Sequence, residues 1–86
     1  MMQADNYLYL ILDNIAKTKG WGLFLEPGLN KKLNSKFLMR LESGGYINIY
    51  GKNLTEDDIV EYHYLELTQE GRDLYVKFKN QKMIIN

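Results

Sequence analysis

The 86-residue chain has no cysteine, a single proline, a single histidine and no surplus of either charge. Without cysteine there is no disulfide, no thiol nucleophile and no thiolate metal ligand, and the redox compartment stays open. The lone His63 lies between Tyr62 and Tyr64 on a strand-like run. One imidazole without matched carboxylates builds neither a metal site nor an acid–base dyad, so cross-strand packing is its expected role. The longest uncharged apolar run, Tyr7 to Leu12, is far too short to cross a bilayer, and no membrane partner is expected. The opening stretch carries Asp5 and Asp13 and lacks a basic leading region, so it does not read as a signal peptide. The expected location is the cytoplasm. Nucleophile–base pairs, a phosphate-cradling glycine loop and paired catalytic carboxylates are all missing from the pattern, which points away from an enzyme and implies no cofactor.

The neutral total hides an uneven distribution. Lys17 to Lys52 carries seven basic and two acidic residues, a balance of +5, whereas Asn53 to Asp73 carries one basic and seven acidic, a balance of −6. A zero total argues against a nonspecific polyanion binder, but segmental polarity of this size shapes local fields. Glu56, Asp57 and Asp58 lack the alternating spacing and internal glycine of a calcium loop, so they read as a solvated tip and no metal is expected.

The length fits one domain, residues 1–86, which buries roughly 60–65% of its unfolded surface. Leu8, Ile11, Leu12 and Ile15 recur at helical spacing, predicting a helix over 6–19 capped by Asp5 and stopped by Gly20. Trp21 is expected to pack at its end. Residues 22–26 form a short apolar segment, strand or truncated helix, punctuated by Pro27-Gly28. Asn30 then caps a helix over 31–43 with Leu33, Phe37, Leu38 and Leu41 as its apolar stripe. Lys32, Lys36 and Arg40 follow one another at i, i+4 and i+8 and make one ridge beside that stripe. A hairpin is predicted over 46–67, with strands at Tyr46–Tyr50 and Ile59–Leu67 and GKNLTEDD as a polar loop between them.

From Thr68 the rhythm turns helical, predicting a last helix over 68–80. Thr68 is the natural N-cap and Glu70 suits the first turn. Leu67, Gly71, Leu74, Tyr75 and Phe78 line up on one side, so Gly71 falls on the buried stripe. Glycine there costs about 1 kcal/mol relative to alanine. The expected return is close approach by another backbone, with the first helix as the obvious neighbour.

The run MRLESGGYI, a strand, a loop, a second strand and YLELTQEGRDLY together resemble the winged-helix (winged helix-turn-helix) DNA-binding superfamily, most nearly PadR-like and MarR-like bacterial regulators and small YjcQ-like proteins. Leu38, Leu41, Glu42, Gly45, Tyr46 and Ile47, then Leu67, Thr68, Gly71 and Tyr75 carry the likeness. It implies an α+β winged helix of three helices with two strands, or three, in its antiparallel wing sheet. It also implies transcriptional control through double-stranded DNA, the helix over 31–43 entering the major groove. Lys31, Lys32, Ser35, Lys36 and Arg40 then fall at groove-facing positions, Lys52 is the one base of the wing loop, and Thr68 and Gly71 are structural.

Two features depart from the family pattern. The helix before the turn is cut short by Pro27, and the wing tip is acidic where phosphate-gripping wings offer bases. Such a wing is expected to point away from phosphate or to meet a basic protein. The alternative is therefore a winged helix used for protein–protein interaction or dimerisation without DNA, a homodimer sealing through the terminal helix and the Met83-Ile84-Ile85 tail. Tyr50, Tyr62 and Tyr64 are the tyrosines placed to stack on single-stranded bases, set against wing-sheet packing as the plainer role.

Overall fold

Tyr7, Ile11, Leu12 and Ile15 are buried on one face of α1 (Ala4–Thr18), the periodicity that makes this segment helical. The computed structural model describes residues 4–23 and 31–85, with side chains described for 7–23 and 31–81. The helix begins at Ala4, so Asp5 lies within it instead of capping it. At the other end Lys19 and Gly20 both take positive φ, 57° and 89°, and turn the chain sharply. Asn14 Nδ2 and Thr18 Oγ1 donate to the Trp21 carbonyl at 3.2 and 3.1 Å. That fixes the Trp21 backbone with its indole directed outward, 79% exposed, so the expected packing at the helix end is not found. Of the 22–26 segment only Gly22 and Leu23 are described, and Leu23 is buried; Pro27-Gly28 and the Asn30 cap lie outside the described residues.

The second helix, α2 (Lys31–Ser43), has the predicted bounds but a rotated interior face. Asn34, Ser35, Leu38 and Leu41 are its buried residues, while Leu33 is 40% exposed and Phe37 is half-buried, stacked on Tyr7 at 4.9 Å. The oxygens of the two buried polar side chains accept bonds there, while Asn34 Nδ2 is buried without a partner among the described residues. The Tyr7 hydroxyl donates to Asn34 Oδ1 at 2.9 Å, and the Val60 amide donates to Ser35 Oγ at 2.9 Å. The helix ends in a Schellman motif, with Tyr46 N bonded to the Leu41 carbonyl at 2.8 Å and Gly45 N to that of Glu42 at 3.0 Å. Gly45 supplies the φ of 81° that this closure needs.

The wing follows as two antiparallel ladders in one hairpin. Strands β1 (Ile47–Tyr50) and β4 (Tyr64–Leu67) pair with Ile47 opposite Leu67 and Tyr50 opposite Tyr64. Beyond a kink at Gly51, β2 (Asn53–Leu54) pairs with β3 (Val60–Glu61). The stretch read as a polar loop thus contains a short strand and a tight turn. Asp58 N donates to the Thr55 carbonyl, Thr55 N to the Ile59 carbonyl and Ile59 N to Thr55 Oγ1, all at 3.0–3.1 Å. Asp58 takes φ 62° to close it. On its other edge β4 meets the end of α1: Leu65 N donates to the Lys19 carbonyl at 2.8 Å, and Tyr62 OH to that of Gly20 at 2.7 Å. Among the described residues the sheet has two strands at this level, and on the outer edge of β4 the Leu65 amide is taken by the Lys19 carbonyl.

Helix α3 (Gln69–Ile85) starts where predicted and runs five residues longer, its backbone continuing through Met83-Ile84-Ile85, whose side chains lie outside the described ones. Thr68 is its cap, Oγ1 accepting from Gly71 N at 3.1 Å and donating to the Gly45 carbonyl at 2.6 Å. Gly71 is buried and does meet another backbone, but that backbone is β1's approach and not α1: an added Cβ would collide with the Tyr46 carbonyl. That carbonyl already accepts Thr68 N at 3.0 Å and cannot retreat without breaking the bond. Further along, α3 packs on α1 through Tyr75 OH donating to Asp13 at 2.7 Å and a Tyr9–Tyr75 stack at 5.9 Å. The architecture is a small α+β fold, three helices around an antiparallel wing, with Ile11, Leu12, Leu23, Leu38, Ile47 and Leu65 at its centre.

Alanine usually improves on glycine inside a helix by about 1 kcal/mol. Gly71→Ala is expected to do the reverse and cost about 1–3 kcal/mol in urea unfolding, as overpacking against an immobile group does. A second prediction concerns alkaline pH. Burial pushes the Tyr62 phenol up to about 12. The bond to Asp13, followed by burial and the charges of Asp13 and Tyr9, pushes Tyr75 up to about 12 as well. The folded state therefore holds these protons more tightly than the unfolded chain, and stability present below the ordinary value of 10.0 is lost as pH rises toward 12. Ultraviolet titration should show two late phenols, and Tyr62→Phe should remove one and flatten that loss.

Candidate nucleic-acid interface

Burial of Asn34, Ser35, Leu38 and Leu41 turns the opposite side of α2 to solvent, and there Lys32, Lys36 and Arg40 are exposed; Lys31 is exposed at the helix start, one turn before Asn34 and Ser35 on their side of the helix. None of the four is in an ion pair or hydrogen bond with a described residue. Lys32 and Arg40 are eight residues apart, about 12 Å along a helix axis. The first turn of α2 has no acidic residue, so Lys31 and Lys32 add their charge to the positive end of the helix dipole. That placement is mildly unfavourable for the helix and concentrates positive potential at its start.

The other residues singled out by sequence are placed differently. Ser35 is 1% exposed and serves the interior as acceptor for Val60, so it is no groove-facing contact. The resemblance implied a groove-facing Ser35, but the buried face of α2 is turned toward Asn34 and Ser35. The Lys52 ammonium lies 2.8 Å from Glu42 Oε1, tying the wing's one loop base to the end of α2. Thr68 and Gly71 hold the wing–helix junction. Tyr62 turns inward to Gly20, while Tyr50 and Tyr64 stack on each other at 4.5 Å on the outward face of the ladder, with Lys19 Nζ 5.8 Å from the Tyr64 centroid. Self-stacking covers one face of each ring, as expected of cross-strand packing.

Sequence reasoning missed the position of the acidic turn. Asp58 of that turn lines an open cleft of about 420 Å³ together with Lys32, Leu33 and Lys36. A second, smaller groove of about 280 Å³ lies between α1, β4 and α3, with Ile15, Leu67 and Val76 as apolar lining and Lys19, Glu66 and Arg72 as charges. Among the described residues no group of three His, Asp or Glu side chains is placed to hold a metal, and no helix is long and apolar enough to cross a membrane. Comparison with family models, curated proteins and solved structures gives no match to this chain.

Ser35→Ala should leave the ridge charge untouched and orphan a buried amide, costing about 1–3 kcal/mol. Hydrogen exchange reads this locally: the Val60 amide should lose protection more than amides of α1 and α3. Uniform loss, or none, would show that the bond does not hold the wing.

Proposed function

We propose that this protein binds double-stranded DNA in the cytoplasm as a winged-helix transcriptional regulator, laying α2 in the major groove. The observation that carries the reading is the ridge of Lys32, Lys36 and Arg40, exposed on the face of α2 opposite its buried side and in no ion pair or hydrogen bond with a described residue, with Lys31 exposed at the helix start. A major groove about 12 Å wide admits one helix, and a 13-residue helix with cations along one edge meets phosphates while its tip approaches the bases. The contacts now number four bases, since Ser35 is internal and Lys52 is paired. By the counterion rule they give a salt slope of about −3.6. The reading assigns no catalytic role and no cofactor.

A second reading, docking of a protein partner without DNA, draws support from the groove between α1, β4 and α3, where Val76 is 51% exposed beside Ile15 and Leu67.

Amide chemical-shift mapping with a mixed-sequence duplex at low and moderate salt separates the two. Shifts clustered at Lys32, Lys36 and Arg40 are expected, weakening as salt rises. Their absence even at low salt would sink the DNA reading. Lys32→Glu with Lys36→Glu should abolish binding while the melting temperature barely moves, because exposed charges contribute little to folding.

A further inference from the structure

The wing is pinned to α2 at two points, and the pinning determines where its acidic turn stands. Val60, two residues after Asp58, donates its amide to the buried Ser35 hydroxyl at 2.9 Å. On the other strand Lys52 bonds Glu42 at 2.8 Å. Between these points Thr55 closes the turn with its carbonyl, amide and hydroxyl. These contacts hold the base of the turn beside α2. Glu56, Asp57 and Asp58 are all exposed, and Asp58 shares one cleft with Lys32 and Lys36 without forming an ion pair to either. Asp58 therefore acts on Lys32 and Lys36 through space across the cleft, in a range where salt of about 0.1 M screens only in part, and Glu56 and Asp57 precede it in the same tight turn.

We propose that the acidic turn of the wing is a built-in competitor for the phosphate-binding ridge, lowering its affinity for polyanions and limiting nonspecific binding. The idea rests on the DNA reading for its biological use, though its electrostatics applies to any polyanion. A duplex entering α2 brings phosphates toward Lys32 and Lys36 from the side the turn occupies, so phosphate and carboxylate contend for the same ammonium groups. Discrimination follows from repulsion as much as from attraction: a partner binds well only when its contacts along the helix outweigh the turn.

The test compares two variants of equal net charge, +3. One carries Glu56→Gln, Asp57→Asn and Asp58→Asn; the other carries Glu66→Gln, Glu70→Gln and Asp73→Asn, none of which lines the cleft of Lys32 and Lys36. Asparagine tolerates the left-handed backbone of Asp58, so the wing variant should fold, and a melting curve checks both. Fluorescence anisotropy with a mixed-sequence duplex and elution from heparin are read from 50 to 300 mM salt. The wing variant is expected to bind on the order of tenfold more tightly at the low end, with the gain fading by the high end, while the control changes less than twofold. Equal gains in both variants would overturn the proposal, leaving only a net-charge effect. No gain in the wing variant, with Lys32→Glu/Lys36→Glu still weakening DNA binding, would overturn it and leave the DNA reading standing. Stronger heparin retention by the wing variant alone, with no DNA bound by any chain, would support it and remove the DNA reading.

Discussion

The carbonyl of Tyr46 rests against the bare Cα of Gly71, and the placement of the wing depends on that contact. The same oxygen accepts the Thr68 amide at 3.0 Å, and the Thr68 hydroxyl spans from the Gly45 carbonyl to the Gly71 amide. The end of α2, the approach to β1, the end of β4 and the first turn of α3 thus converge through backbone groups and one hydroxyl. Because the next pair along the ladder is Ile47 with Leu67, the junction also sets register. Ile47 and Leu65 then face the core while Asn48, Tyr50 and Tyr64 face solvent. A slip of one residue would reverse every one of these assignments, so specification at the junction carries through the hairpin.

Much of this was legible because it is local. The helical periods of α1 and α2, the alternation of β1 and β4, and the Thr68 cap are short-range patterns, and each is found at or near its predicted place. Gly71 was read correctly as a site of close approach, but its neighbour was not, because a stripe on one helix does not say which element lies over it. The rotated face of α2 escaped for a related reason. Apolar spacing favoured Leu33 and Phe37, whereas burial of Asn34 and Ser35 depends on Tyr7 and Val60, 27 and 25 residues away in sequence. A polar residue belongs inside only when its partner arrives, and the partner is invisible to a local pattern. Trp21 follows the same logic in reverse: hydrophobicity favoured packing, but two positive-φ residues and a doubly anchored carbonyl turn it out.

For the candidate site, the ridge itself was legible, since i, i+4 and i+8 on a helix guarantee one edge. Its surroundings were not. Ser35 became structural, Lys52 found Glu42, and the acidic turn came to rest beside Lys32 and Lys36. None of these follows from spacing, because each joins α2 to a wing whose kink at Gly51 and closure at Asp58 set the reach of its tip.

The opposed charges of the two segments then acquire a single physical meaning. Lys31 and Lys32 stand at the positive end of α2, where dipole and mutual repulsion both disfavour them. In the isolated fold the Asp58 side of the cleft offsets part of that field, which gives the turn a folding rationale independent of any ligand. A polyanion supplies the same offset from outside. The basic segment Lys17–Lys52, with its balance of +5, and the acidic segment Asn53–Asp73, with its balance of −6, therefore meet at the cleft that Asp58 shares with Lys32 and Lys36. Asp58 offsets part of the positive field at Lys32 and Lys36 without an ion pair to either.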